Sequence, residues 1–134
     1  VVSQELLRRL KSQQEVERTM AAEALARLPA EPVVPLLLEA LHTEQKWQVC
    51  QAMVRALGHL GDRRAVPHLL AFVDRQPWRT DGLWSAYVTR LLLEEVVLAL
   101  VRLNDVLALM LALEHANPVV RLIAADALER VSRP

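Results

Sequence analysis

Apolar positions in this chain recur at spacings of three and four, with no run of strict alternation. That period places them on one stripe of a helix and argues against strands. The pattern also repeats. Residues 16–28 (VERTMAAEALARL) and 119–131 (VVRLIAADALERV) carry Arg, Ala-Ala, an acid and Ala-Leu in the same columns. Two further copies emerge when helix ends are aligned. Leu28, Leu60, Leu103 and Val131 each follow an Ala-Leu pair: Ala24-Leu25, Ala56-Leu57, Ala99-Leu100 and Ala127-Leu128. Pro29, Gly61 and Asn104 follow three of these ends and suit helix termination.

We call these four the B helices; shorter apolar A helices lie between them. The pattern predicts A helices over 4–11, 33–42, 65–75 and 106–115. Pro35 and Pro67 align in two of them and suit a first turn, where a missing N–H costs little. Asp62 is placed to satisfy free N–H groups at the start of the third A helix. The expected fold is all-α, an α-α superhelix of about four antiparallel helix pairs in a right-handed stack. The repeats span about 3–28, 31–60, 63–103 and 105–131, in one domain over 1–134. In such a stack each pair buries its apolar face only against its neighbours.

The segment Ala56-Leu57-Gly58-His59-Leu60-Gly61-Asp62-Arg63-Arg64-Ala65-Val66-Pro67-His68-Leu69-Leu70 resembles the HEAT-like repeat found in phycobilin lyase subunits and many bacterial scaffold proteins. Val120-Arg121 followed by Ala124-Ala125 and Ala127-Leu128 is similar to the same repeat's B helix. The resemblance covers nearly the whole chain, with Glu17 where the pattern prefers Val. It implies the α-solenoid fold and B helices along the concave side. For function it implies a protein-binding scaffold or adaptor, or alternatively a phycobilin lyase-like or cofactor-protein chaperone subunit.

Composition narrows these classes. Apolar residues make up 53% of the chain, enough for an ordered core. Sixteen cations balance sixteen anions, and the balance holds in each half. A nucleic-acid surface of the HEAT-like glycosylase kind needs a basic cleft, so that third reading is disfavoured. The single cysteine, Cys50, excludes an internal disulfide and sits in a core register. The most apolar stretch, Leu91 to Leu113, holds Glu94, Glu95, Arg102, Asn104 and Asp105, so no membrane span is expected. A reducing, cytoplasmic setting follows as the simplest expectation. Fourteen arginines against two lysines point to a GC-rich bacterial source. Because Val1 replaces an initiating Met, we expect a segment of a longer or processed protein.

Enzymatic signatures are absent. The three glycines, Gly58, Gly61 and Gly82, form no phosphate loop. His42, His59, His68 and His115 show no metal-ligand spacing, and the His-Glu dipeptides of the HEAT-like hydroxylase that binds iron are missing. Adjacent Glu94 and Glu95 point apart on a helix and make no acid–base dyad. The expectation is a non-enzymatic module without cofactor or metal, binding a protein partner.

Departures from the repeat mark where that partner would bind. The spacing between the second and third B-helix ends is 43 residues, against 32 and 28 elsewhere. The extra residues fall around 76–87 and hold Trp78, Arg79, Trp84 and Tyr87, with Trp47 expected on the same edge. Trp, Tyr and Arg supply interface hot spots, although Trp84 and Tyr87 equally suit a cover over the stack. Thr80 or Asp81 suits an N-cap that lengthens the third B helix backwards. On the B helices, one column reads Glu23, Arg55, Leu98, Asp126; a second reads Thr19, Gln51, Glu94, Leu122; a third reads Ala26, Gly58, Val101, Glu129. Leu98, Val101 and Leu122 stand out as apolar, forming either a partner groove or contacts between neighbouring helices. Arg27, His59, Arg102 and Arg130 form a basic column at helix C-termini, where the dipole favours cations. The last B helix is apolar on several sides, which calls for further repeats or another chain.

Overall fold

The computed structural model describes residues 2–76 and 86–133, which form eight α-helices with no strand among them. They are α1 (Gln4–Leu10), α2 (Glu15–Leu25), α3 (Ala30–Thr43), α4 (Trp47–Leu60), α5 (Ala65–Arg75), α6 (Ala86–Leu103), α7 (Val106–Ala112) and α8 (Pro118–Ser132). Odd-numbered helices are the A helices and even-numbered ones the B helices. Each A helix packs on the B helix that follows it, and α2, α4, α6 and α8 pack side by side in that order. This is the α-α superhelix that the repeat pattern predicts. The core runs between the two rows and is almost wholly aliphatic, with Leu25, Leu37, Met53, Leu57, Leu69, Phe72, Leu92 and Leu100 fully buried.

Local chemistry sets the helix ends. Gly61 ends α4 at φ 72°, and Asn104 follows α6 at φ 52°. Both are left-handed positions, which Gly and Asn tolerate best. Ser3 accepts from Leu6 N–H, Asp105 from Ala108 N–H and Asn117 from Val119 N–H, capping α1, α7 and α8. The Asp62 side chain accepts from the N–H of Arg64, the residue just before α5, and from none within the helix. Its Oδ1 accepts from Arg64 N–H at 2.9 Å, fixing the turn into α5.

Three expected boundaries move. The first B helix gives way at Leu25 to turns in which Arg27 and Leu28 N–H bond three residues back. Pro29 explains this, since the residue before a proline leaves the helical region. α7 ends at Ala112, and tighter turns carry residues 113–115 to the Asn117 cap. α3 starts at Ala30, so Pro35 lies inside the helix and not in its first turn. Its ring removes the N–H that would bond to the Glu31 carbonyl, a loss placed close to the helix start.

Small residues set the approach of the B helices. A methyl group on Gly58 would stand 2.9 Å from Ala99 Cα, so α4 and α6 touch there backbone to backbone. Ala56, Ala99 and Ala127 occupy one buried column on three successive B helices. That column allows the close crossings between neighbours.

Candidate functional site

The B-helix face is organised by ion pairs that cross from one helix to the next. Arg55 Nη2 on α4 donates to Glu95 Oε1 on α6 at 2.8 Å, and Gln51 Nε2 donates to the same oxygen at 3.3 Å. Glu95 is the buried charged residue of the described core. Its neighbour Glu94 turns the other way and accepts from Arg130 Nη1 and Nη2 on α8 at 2.7 and 2.9 Å. Arg130 also holds Asp126 one turn back. The Arg130 hydrogen bonds keep the Glu94 carboxyl below its ordinary range and raise the guanidinium's own pKa. Arg55 is raised too, chiefly by its bond to Glu95. Arg102 Nη1 lies 3.4 Å from His59 Nε2, which joins two members of the basic column across helices.

Between α2 and α4 this face opens into a groove of about 540 Å³. Ala26, Ala52 and Ala56 form its small-residue wall, with Glu23, Arg27, Arg55 and His59 around it. Glu23 and Arg27 have the i,i+4 spacing of Asp126 and Arg130, yet of these two couples only the latter forms an ion pair among the described residues. The groove thus presents small apolar contacts beside charged side chains of both signs. Such a surface suits a segment of another chain, which gains by burying apolar area and by matching charge.

The predicted site residues fall in different places. Trp78, Arg79 and Trp84 lie outside the described residues, as do Thr80 and Asp81. Trp47, the first residue of α4, is half-buried. Tyr87, near the start of α6, is 69% exposed and covers little of the stack. Leu98 is 38% exposed on α6, whereas Val101 on the same helix packs against the core. Leu122 on α8 is 66% exposed. It belongs to the column of Gln51 and Glu94, both of which reach toward the following helix. Leu98 and Leu122 therefore serve different columns. Cys50 is buried, as its register predicts.

The Glu95 cluster escaped the sequence reading, although a signal was present. Its column reads Met20, Ala52, Glu95, Ile123, where an acid stands among apolar residues. A second groove, between α5 and α7, was also unforeseen. Pro67, Leu70, Ala71, Ala108 and Leu111 line it, and its volume is about 730 Å³.

Comparison with known proteins agrees with this geometry. The HEAT-repeat family matches residues 3–85, more than half of the chain. The chain belongs to the HEAT-repeat family. One curated relative, the bilin biosynthesis protein PecE of Mastigocladus laminosus, is 37% identical over 73 residues. That alignment covers 54% of this chain and 27% of the relative, so the chain spans about a quarter of that protein's length.

The HEAT match takes in the first two helix pairs and α5. Beyond it, α6 and α8 keep the same Ala-Leu columns, and an ion pair of their own, Glu94–Arg130, joins them. No cluster of three or more potential metal ligands occurs among the described residues, and no described helix is long and apolar enough to cross a membrane.

Proposed function

We propose that this HEAT-repeat chain is a non-enzymatic scaffold or adaptor module that binds a protein partner along its B-helix face. The observation that carries this reading is the groove between α2 and α4 with its alanine wall. Alanines let a partner backbone come close, while Arg27, Arg55 and His59 outnumber Glu23 around them. The fitting partner is a segment with small or aliphatic contacts and carboxylate side chains. Leu98, exposed on α6, adds apolar area along the same face. Trp47, Trp78, Arg79 and Trp84 enter as a second contact edge on the strength of their residue types. The proposed setting is the bacterial cytoplasm, where Cys50 stays reduced.

The test is affinity capture with wild type beside Arg27→Glu/Leu98→Arg and Trp78→Ala/Arg79→Ala, followed by titration with each purified captured protein. The expected result is a partner whose binding weakens at least tenfold in the first variant while helix content is unchanged. Undiminished binding by both variants would overturn the proposed surfaces.

A second reading rests on the likeness to PecE, which is named for bilin biosynthesis. In that reading the chain is part of a lyase-like or chaperone subunit that handles a bilin-bearing protein. Visible absorbance of the captured complex separates the two. A bilin spectrum that follows the chain through purification favours the second, and a colourless complex favours the adaptor.

A further inference from the structure

Each inner B helix has a forward face that meets the next pair. On α4 it includes Gln51, Arg55 and Gly58, which reach Glu95 and Ala99 of α6. On α6 it includes Glu94, which reaches Arg130 of α8. Ala22, Val54 and Val97 share a buried column on these first three helices. The equivalent residue of α8, Ala125, is exposed, and so is Leu122 beside it. α7 continues this end. Its groove side faces α5, and Val106 and Met110 lie on the opposite side, with Met110 54% exposed. The first pair is finished differently. Glu17 replaces the buried Val49, Leu92 and Val120 of its column and takes a hydrogen bond from Ser12. The first pair thus ends on a mixed surface, with Glu17 beside the exposed Val16 and Met20, whereas the α8 end keeps the chemistry of an internal interface.

We propose that the forward face of α8, with the adjoining edge of α7, is the interface between two copies of this chain related by a two-fold axis. The charge pattern selects this occupant. Arg121, Ala125 and Glu129 follow one another at intervals of four and form a single stripe on α8. Two such helices crossing antiparallel at Ala125 place Arg121 of each copy against Glu129 of the other, twice, where it would compete with the exposed Arg133 that pairs with Glu129 within the chain. Alanine at the centre permits close approach, and Leu122, Val106 and Met110 supply apolar area at its flanks. Arg121 is already held in place, since its Nη1 donates to the carbonyls of His115 and Ala116 at 2.7 and 3.1 Å. It has no carboxylate partner among the described residues. Such pre-ordering lowers the entropy lost on association.

Sedimentation velocity over a wide concentration range tests the proposal on the chain itself. Wild type is expected to dimerise, Ala125→Glu and Arg121→Glu to remain monomeric, and Arg121→Glu/Glu129→Arg to dimerise again. Restoration by the charge swap is specific to a two-fold pairing. A wild type that stays monomeric throughout would overturn the proposal and assign the face to a further helix pair or another protein. So would a dimer indifferent to both Ala125→Glu and Arg121→Glu. Should Arg121→Glu disturb the start of α8, Leu122→Glu provides the break at an exposed position, and a persisting dimer in that variant overturns the proposal equally.

Discussion

Gly58 and Ala99 meet with no room for another atom: a methyl group on Gly58 would stand 2.9 Å from Ala99 Cα and 3.0 Å from its Cβ. The obstacle is backbone, so α4 and α6 must separate to admit it. Gly58→Ala gains helix propensity of about 1 kcal/mol. Forced overpacking costs about 1–3 kcal/mol. The net expectation is a loss of about 1 kcal/mol in urea unfolding. Gly61→Ala tests the opposite case. Nothing lies within 4 Å of a Cβ there, yet φ is +72°, so any loss comes from the backbone alone. A stabilised Gly58→Ala protein would show that the two helices part freely.

Arg18 and Glu44 tie α2 to the end of α3. Arg18 Nε and Nη2 donate to the two Glu44 oxygens at 2.8 and 2.9 Å, while Nη1 donates to the Ser12 carbonyl. The Glu44 side chain is almost fully buried. Arg18→Met leaves that carboxylate without its cation, and a loss of about 3 kcal/mol is expected. The exposed Arg9–Glu5 pair is the control, and its loss should leave the unfolding transition almost unmoved. Comparable effects of Arg18→Met and Arg9→Met would show that the Glu44 carboxylate remains solvated.

Much of this fold is legible because its signals are local. Gly61 and Asn104 stop helices through their own φ angles, and α5 follows its apolar period from end to end. Pro35 misleads because alignment with Pro67 suggests a shared position, whereas α3 begins one turn earlier at Ala30. The early end of α7 is hidden as well, since residues 113–117 contain no glycine or proline. The B-helix face was partly legible. Its columns can be written from the repeat, but the sequence alone does not say which neighbour each side chain reaches. Glu94 and Glu95 are identical residues at adjacent positions. One is drawn to Arg130 and the other to Arg55, so their roles are decided by helices 36 and 40 residues away in the chain.

The crossing ion pairs give a sign to the acid response. Glu94 and Asp62 have carboxyl pKa values lowered by hydrogen bonds from Arg130 and Arg64. A lowered folded-state pKa adds stability above the ordinary carboxylate value and loses it as pH falls through the folded value. The loss therefore begins near 4.5 for Glu94 and 3.8 for Asp62 and continues below. Both contributions are modest because water and salt screen Arg130 and Arg64. Wild type should melt above Glu94→Gln at neutral pH in low salt, and the two curves should converge in acid. A gap that persists at low pH would show that the substitution acts through packing and not charge.

Cys50 offers the sharpest check on the core. Its thiol is buried and its Sγ lies 3.7 Å from the Glu44 carbonyl oxygen. Burial pushes its pKa up to about 12, with the Glu44 charge adding to the effect and Arg75 opposing it. The thiolate is the reactive form, so at pH 8 both access and ionisation work against alkylation. Folded protein should resist iodoacetamide at that pH, and labelling should rise with the urea unfolding transition. Destabilising α4 by Gly58→Ala should raise the labelling rate in proportion to the unfolding equilibrium if global opening is the route. Rapid labelling of wild type without denaturant would mean that the α3–α4 seam opens locally. Cys50 would then sit in an accessible wall, and its burial could no longer be used to place the core.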